Sequence, residues 1–139
     1  MLNLTPALSA AGIYAALNMA ILIWIGIETG RVRVKHKVSI GDGGVPHLVR
    51  IMRGHANAVE NMPMFFVLLV IGVLLGMPLL AVHLLGISFT VGRALHARHF
   101  TQEDAPRWQR GAGFGLSFLA QVVVLAGLLV HGVWGLVAG

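Results

Sequence analysis

The stretch Arg50-Ile-Met-Arg-Gly-His-Ala-Asn-Ala-Val-Glu-Asn61 is polar and runs directly into Met62-Pro-Met-Phe-Phe-Val-Leu-Leu-Val-Ile-Gly-Val-Leu-Leu75, which is apolar enough to lie in lipid. Polar and charged side chains at the start of a membrane helix cost free energy, so we expect them to have a function. At 100° per residue, five of its side chains fall within an arc of roughly 100°: Arg50, Arg53, Asn57, Glu60 and Asn61. Guanidinium, amide and carboxylate groups on one face predict a site for a small zwitterionic ligand. The alternative is a structural set in which Arg53, Asn57 and Glu60 pair with one another and pack against neighbouring helices.

The composition of the chain indicates an integral membrane protein. Of its 139 residues, 57% are hydrophobic and only 11% are charged, and the mean hydropathy is +0.83. This length supports one domain, and a soluble core of this size does not need so much apolar sequence. The chain has no cysteine, so any thiol chemistry would have to come from a ligand.

Four apolar segments predict an all-α bundle of four transmembrane helices in a single domain, residues 1–139. Their approximate bounds are residues 4–28, 45–75, 78–97 and 106–137. Glu28, Thr29 and Gly30 are expected to close the first helix, and Gly76-Met77-Pro78 predicts a tight turn between the second and third. Pro63 is expected to kink the second helix.

The basic residues predict the orientation in the membrane. All ten Lys and Arg residues lie in two polar loops, residues 31–44 and 98–109, or in the helical turns that border them. The positive-inside rule therefore predicts that both loops are cytoplasmic and both termini lie outside. The same rule explains the net charge of +5, which removes the case for nucleic acid as a partner. The short loops favour a bacterial inner membrane.

Several arginines near the cytoplasmic helix ends are expected to face inward and form one cavity. They are Arg53 in the second helix, Arg93 in the third, Arg110 in the fourth and Arg33 at the end of the first. Guanidinium groups at low dielectric demand anions, and Glu60 alone does not balance them, so an anionic ligand is implied. His55, His96 and His99 do not have the spacing of a zinc site, and no metal is predicted.

Each of the four predicted helices carries a recognisable motif. The second helix carries Arg53-x-His-x-Asn-x-x-Glu-Asn-x-Pro63, and the first ends in Thr29-Gly-Arg-Val-Arg33. The third helix carries Val91-Gly-Arg-Ala-Leu-His96, and the fourth starts with Pro106-Arg-Trp-Gln-Arg-Gly111. These motifs, in this order, resemble those of the MAPEG family, the membrane-associated proteins of eicosanoid and glutathione metabolism, and in particular its bacterial members.

The resemblance implies a homotrimer that binds glutathione as co-substrate between adjacent subunits on the cytoplasmic side. The residues carried over as glutathione ligands are Arg33, Arg53, Asn57, Glu60, Arg93 and His96. Arg110 would stabilise the thiolate, with Arg107 as the alternative for that role. The implied activity is a glutathione-dependent transferase or peroxidase acting on lipophilic electrophiles held at the bilayer.

Three residues depart from the pattern of some relatives. Ala56 replaces a further arginine, and Phe100 and Phe114 replace tyrosines that contact glutathione. Without a phenol beside the sulfur, a specific eicosanoid synthase is not implied. A general transferase or peroxidase remains, with a non-catalytic membrane protein that binds glutathione or another small anion as the alternative. A small transporter or structural membrane protein is the third hypothesis.

Overall fold

A computed structural model describes residues 4–138 of the chain, and this part is built from four helices: α1 (Thr5–His36), α2 (Pro46–Leu74), α3 (Leu79–Thr101) and α4 (Arg107–Ala138). Each helix is long and apolar enough to cross a membrane. For the described residues, the prediction of an all-α fold with four helices suited to span a membrane is therefore confirmed. Pro46 opens α2, where its missing N–H costs nothing.

The predicted end of the first helix at residue 28 is wrong. α1 continues through Gly30 for two further turns to His36, so that Arg31, Arg33 and Lys35 are helical. Basic side chains in a last turn interact favourably with the helix dipole, which helps to extend the helix beyond the apolar segment. Lys37 ends it with a left-handed φ of 56°, and the N–H of Val38 donates to the Arg33 carbonyl at 3.0 Å.

The other helix bounds lie close to the prediction. α2 and α4 match it to within about one residue at each end, and α3 extends to Thr101 instead of residue 97. α2 runs through Pro63 without a break in the helix, and the predicted kink there stays a prediction.

α2 and α3 each pack against all the other helices, and the most extensive packing is between α3 and α4. Within residues 4–138, α1 and α4 do not contact each other. The closest crossing is between α3 and α4, where a Cβ built on Gly113 would lie only 2.6 Å from the backbone nitrogen of His96. On the other side of this crossing, a Cβ on Gly92 would lie 2.6 Å from the nitrogen of Ser117. Paired glycines that let two backbones approach are typical of helix contacts in lipid.

The apolar core lies between α1, α2 and α3, and α4 adds Ala120 and Val124 to it. Phe65 and Phe89 stack at its centre with ring centroids 3.8 Å apart, and Leu69 and Val73 of α2 are fully buried beside them. The outer surface of the helices is also apolar, as expected for contact with lipid or another subunit. The four helix ends that carry the basic residues lie together at one end of the bundle, and the candidate site is found there.

Candidate functional site

A cavity of about 750 Å³ opens between α2, α3 and α4 at the basic end of the bundle. The wall from α2 consists of Arg53, Ala56, Asn57 and Glu60, and α3 contributes His96 and Phe100. The wall from α4 consists of residues three or four apart on one helical face: Arg107, Arg110, Gly111 and Phe114. Of the seven site residues that the sequence suggests, the cavity thus brings together Arg53, Asn57, Glu60, His96 and Arg110.

The polar face of α2 is divided between the cavity and the neighbouring helices. Arg53 and Glu60 are exposed on the cavity wall, and Asn57 between them is half-buried. Arg50 turns away and donates to the backbone carbonyl of His99 at 2.9 Å. Asn61 accepts a hydrogen bond from Nε2 of Gln121 at 3.2 Å, which ties α2 to α4. The face predicted from periodicity therefore has a ligand-accessible centre and two ends occupied by interhelical contacts.

The charged groups on the cavity wall are not paired with each other. Arg53, Arg107 and Arg110 face the cavity with a single carboxylate, Glu60. In the described part of the chain, the one ion pair joins Arg31 to Glu28 on α1. The alternative of a salt-bridged structural set on α2 is therefore not what the structure contains.

Arg93 lies behind this wall. It is 2% exposed, and its two terminal nitrogens donate to Oδ1 of Asn57 at 3.1 and 3.0 Å. Its Nε is buried without a partner, and no carboxylate lies within ion-pair distance of it among residues 4–138. A buried guanidinium with only a neutral acceptor retains an uncompensated positive charge next to the cavity.

Arg33 does not lie on the cavity wall of its own chain. It sits between α1 and α2, where its Nη2 is 3.7 Å from the sulfur of Met52 and its Nη1 is buried without a partner. Within a single chain, Arg33 is therefore not brought to this cavity.

Phe100 forms an aromatic wall of the cavity, at one of the two positions where the family resemblance implies a contact with glutathione. A Cβ on Gly54 would lie 2.5 Å from the Cβ of Phe100, so the glycine of α2 makes room for this side chain. The guanidinium carbons of Arg50 and Arg110 lie 6.0 and 5.9 Å from the ring centroid. At these distances the ring attracts both cations and helps to hold Arg110 at the cavity. Gly54, placed within a polar helical turn, was the only sign of this close packing in the sequence.

No group of three His, Cys, Asp or Glu side chains suited to a metal ion occurs within residues 4–138. His96 and His99 are both buried and contact the ring of Phe100, with centroids 4.7 and 5.1 Å from it. Their surroundings are therefore arginine and aromatic side chains.

Known proteins are similar to this chain over most of its length. The model of the MAPEG family matches residues 11–130. Inner membrane protein YecN of Escherichia coli K12 is 31% identical over 127 residues, which cover 91% of this chain and 95% of that protein. The protein of the same name from Escherichia coli O6:H1 strain CFT073 shows the same identity and coverage.

Proposed function

Since the chain belongs to the MAPEG family, we propose that it is an inner-membrane protein that binds glutathione in the α2–α4 cavity and adds it to lipophilic electrophiles. The observation that carries this proposal is the set of three guanidinium groups around one carboxylate, with no ion pair among them. A wall with three positive groups and one negative group is complementary to a ligand that carries negative groups and a single positive group. Assignment to the inner membrane is supported by the names of the two Escherichia coli relatives.

The charged groups of glutathione are complementary to those of the cavity wall. It carries two carboxylates, one ammonium group and a thiol that becomes negative on ionisation. Glu60 is the acceptor for the ammonium group, and Arg53 together with Asn57 binds a carboxylate. Asn57 and Glu60 are three residues apart on α2, so their side chains are neighbours, as are the ammonium and carboxylate groups of an amino acid. A volume of about 750 Å³ lies within the usual range for a small-molecule site.

Arg110 has an electrostatic role in the proposed reaction. Its guanidinium stabilises the thiolate after the thiol proton has been released to water. The sulfur then attacks an electrophilic carbon: a carbon–sulfur bond forms and the leaving group departs with its electron pair. With a hydroperoxide, two glutathione molecules are oxidised to their disulfide while the peroxide is reduced to an alcohol and water.

The proposed assembly is a homotrimer with the basic end of each bundle in the cytoplasm. The positive-inside rule supports this orientation, because all Lys and Arg residues lie at or near that end. A site shared between subunits would bring Arg33 of one protomer to the cavity of the next. The partly buried Arg33, with one nitrogen unpartnered, is consistent with a role that a single chain leaves unfilled.

A non-catalytic glutathione-binding protein is the second candidate, and the cavity wall itself provides a reason. None of the residues that line the cavity carries a hydroxyl group, because Phe100 and Phe114 supply its aromatic surface. Arginine would then be the sole stabiliser of a thiolate. Binding without turnover across a broad panel of electrophiles would favour this candidate.

Calorimetric titration of glutathione into the detergent-solubilised protein tests the binding step. We expect saturable binding by the wild type and a loss of about 10-fold or more in affinity for Glu60→Ala, because a charged hydrogen bond is removed. Glu103→Ala is the matched control, since Glu103 is an exposed acid outside the cavity. Absence of binding by the wild type, or equal losses for the two variants, would overturn the proposal.

Conjugation of a chloronitrobenzene-type substrate tests the chemical step. We expect Arg110→Ala to lower the turnover rate by about 100- to 1,000-fold with glutathione still bound, as for loss of one oxyanion donor. Arg107→Ala separates the two arginines that α4 presents to the cavity, and Arg98→Ala is the control for an exposed arginine elsewhere. If Arg107→Ala has the larger effect, the thiolate role belongs to Arg107.

A further inference from the structure

The contact between Arg93 and Asn57 fixes which end of the Asn57 amide faces the cavity. Both terminal nitrogens of Arg93 point at the same atom of Asn57, at 3.1 and 3.0 Å. A guanidinium group has donors only, so the atom that it contacts must be the amide oxygen. The usual ambiguity between the oxygen and nitrogen of an asparagine is thereby removed.

The nitrogen of the same amide is left free for a ligand. Asn57 lines the cavity, and in the described part of the chain its Nδ2 takes part in no hydrogen bond. This nitrogen is also not among the buried polar atoms that lack a partner, so it is accessible from the cavity. Asn57 thus offers two N–H donors and no acceptor to whatever binds there.

We propose that Arg93 is a positioning residue that holds Asn57 as a pure hydrogen-bond donor and so makes this point of the cavity selective for an acceptor group. The inference rests on the proposed function where it takes glutathione as the ligand. Glu60, one turn further along α2, offers only acceptors. Asn57 therefore binds a carboxylate or carbonyl oxygen of the ligand, and Glu60 binds its ammonium group. A ligand in the reverse orientation is disfavoured.

The burial and charge of Arg93 support a positioning role over a direct contact with the ligand. It is 2% exposed and does not line the cavity, so the ligand meets Asn57 first. Its positive charge lacks a carboxylate partner within residues 4–138 and polarises the amide, which strengthens the donors on the far side. Desolvating a guanidinium is costly, and packing alone would be better served by an apolar residue.

Selective ¹⁵N-asparagine labelling of the full-length protein in detergent tests the contact without any ligand. The chain has four asparagines, Asn3, Asn18, Asn57 and Asn61, and Asn57→Asp assigns the side-chain signal of interest by its loss. We expect Arg93→Met to shift and broaden the Asn57 amide signal while that of Asn18, on α1, stays in place. Arg93→Lys, which keeps a charged donor, should restore a single sharp signal. If the Asn57 amide signal keeps its position and width in Arg93→Met, the proposal is overturned.

A double-mutant cycle with glutathione tests whether Arg93 acts through Asn57. Arg93→Met and Asn57→Ala should each lower the affinity by about 10-fold, and the double variant should also lose about 10-fold, because both changes remove one interaction. Arg93→Lys should retain affinity within a factor of about three of the wild type. A loss of about 100-fold in the double variant would mean that Arg93 contacts the ligand independently, and would overturn the inference.

The two measurements separate failure of the inference from failure of the proposed function. If the wild type does not bind glutathione, the proposed function is lost, and the labelled amide still decides whether Arg93 holds Asn57. The double variant Asn57→Ala/Arg93→Met leaves neither buried partner unpaired, so it provides a folded reference if either single variant proves unstable.

Discussion

Two polar clusters include residues of α3, one between the middle and the N-terminal end of this helix and one at the basic end of the bundle, and their polar groups differ in hydrogen bonding. In the first, the hydroxyl of Tyr14 is bonded to Nδ1 of His83 at 2.8 Å, and the buried Asn18 donates to Oγ1 of Thr90 at 2.8 Å. These groups are formally neutral, they join α1 to α3, and only Oδ1 of Asn18 is buried without a partner. The second cluster is the wall of the cavity, where charged side chains line an open volume.

We interpret the first group, the α1–α3 cluster, as residues that hold helices together, and the cavity wall as residues that bind a ligand under the proposed function. Neutral side chains in lipid that bond across helices are typical of structural contacts. Ionised groups near a membrane that have no partner are expensive, and they persist where a ligand or substrate completes them. We therefore expect changes in the α1–α3 cluster to alter stability, and changes in the cavity to alter binding with little loss of stability.

The largest effect on stability is expected from Gly86→Val, beside the α1–α3 cluster. A Cβ at Gly86 would overlap the ring of Tyr14, so α1 and α3 would have to separate. Overpacking of this kind costs about 3 kcal/mol of unfolding free energy, measurable by denaturant unfolding in detergent. Gly12→Val is the control, because a Cβ there meets nothing within 4 Å. Equal losses for the two variants would show that α1 and α3 do not meet at this glycine.

Arg53→Met should lower ligand affinity and leave stability intact, the reverse of what is expected for Gly86→Val. We expect an affinity for glutathione about 10- to 30-fold lower, since a charge-assisted contact is lost. The melting temperature without ligand should stay the same or rise, because one of several unpaired cations around the cavity is removed. Arg98→Met controls for loss of an exposed arginine. A marked drop in ligand-free stability would mean that Arg53 is a structural residue.

Tyr14→Phe should have a smaller effect on stability. The hydrogen bond to His83 is lost while the ring remains, and interhelical hydrogen bonds in membranes contribute about 0.6 kcal/mol on average and about 1.7 at most. Unfolding in detergent measures this loss, and glutathione affinity should not change. A variant that unfolds normally but binds glutathione poorly would show that the two clusters are coupled through α3.

A change in ionic strength should have the smallest effect, a modest decrease in glutathione affinity. Raising the salt concentration from about 0.05 to about 0.5 M shortens the screening length severalfold, so glutathione affinity should fall by a factor of a few. The ligand-free melting temperature should stay constant or rise, since repulsion among the arginines is screened. An uncharged solute at equal osmolarity is the control. Binding that is insensitive to salt would argue against the guanidinium groups as the main ligands.

Much of the fold and part of the site follow from the sequence alone. Hydropathy and the spacing of Gly and Pro predict the membrane class, the number of helices and most of their ends, because a segment's affinity for lipid depends on its own residues. The period of the helix is local too, so Arg53, Asn57 and Glu60 could be assigned to one face of α2, and all three line the cavity. The end of α1 was missed because its polar last turns continue a helix beyond the apolar segment.

Only the tertiary structure decides which side chains from different helices meet. Arg93, Arg107 and Arg110 look alike in the sequence, yet Arg93 is buried behind Asn57 while the other two face the cavity. Tyr14 and His83 lie 69 residues apart, and nothing in either segment predicts their bond. The rotation and crossing of α3 and α4 settle these pairings, and they depend on close contacts such as that between Gly92 and Gly113. Such contacts are properties of two surfaces at once, so no single stretch of the chain contains them.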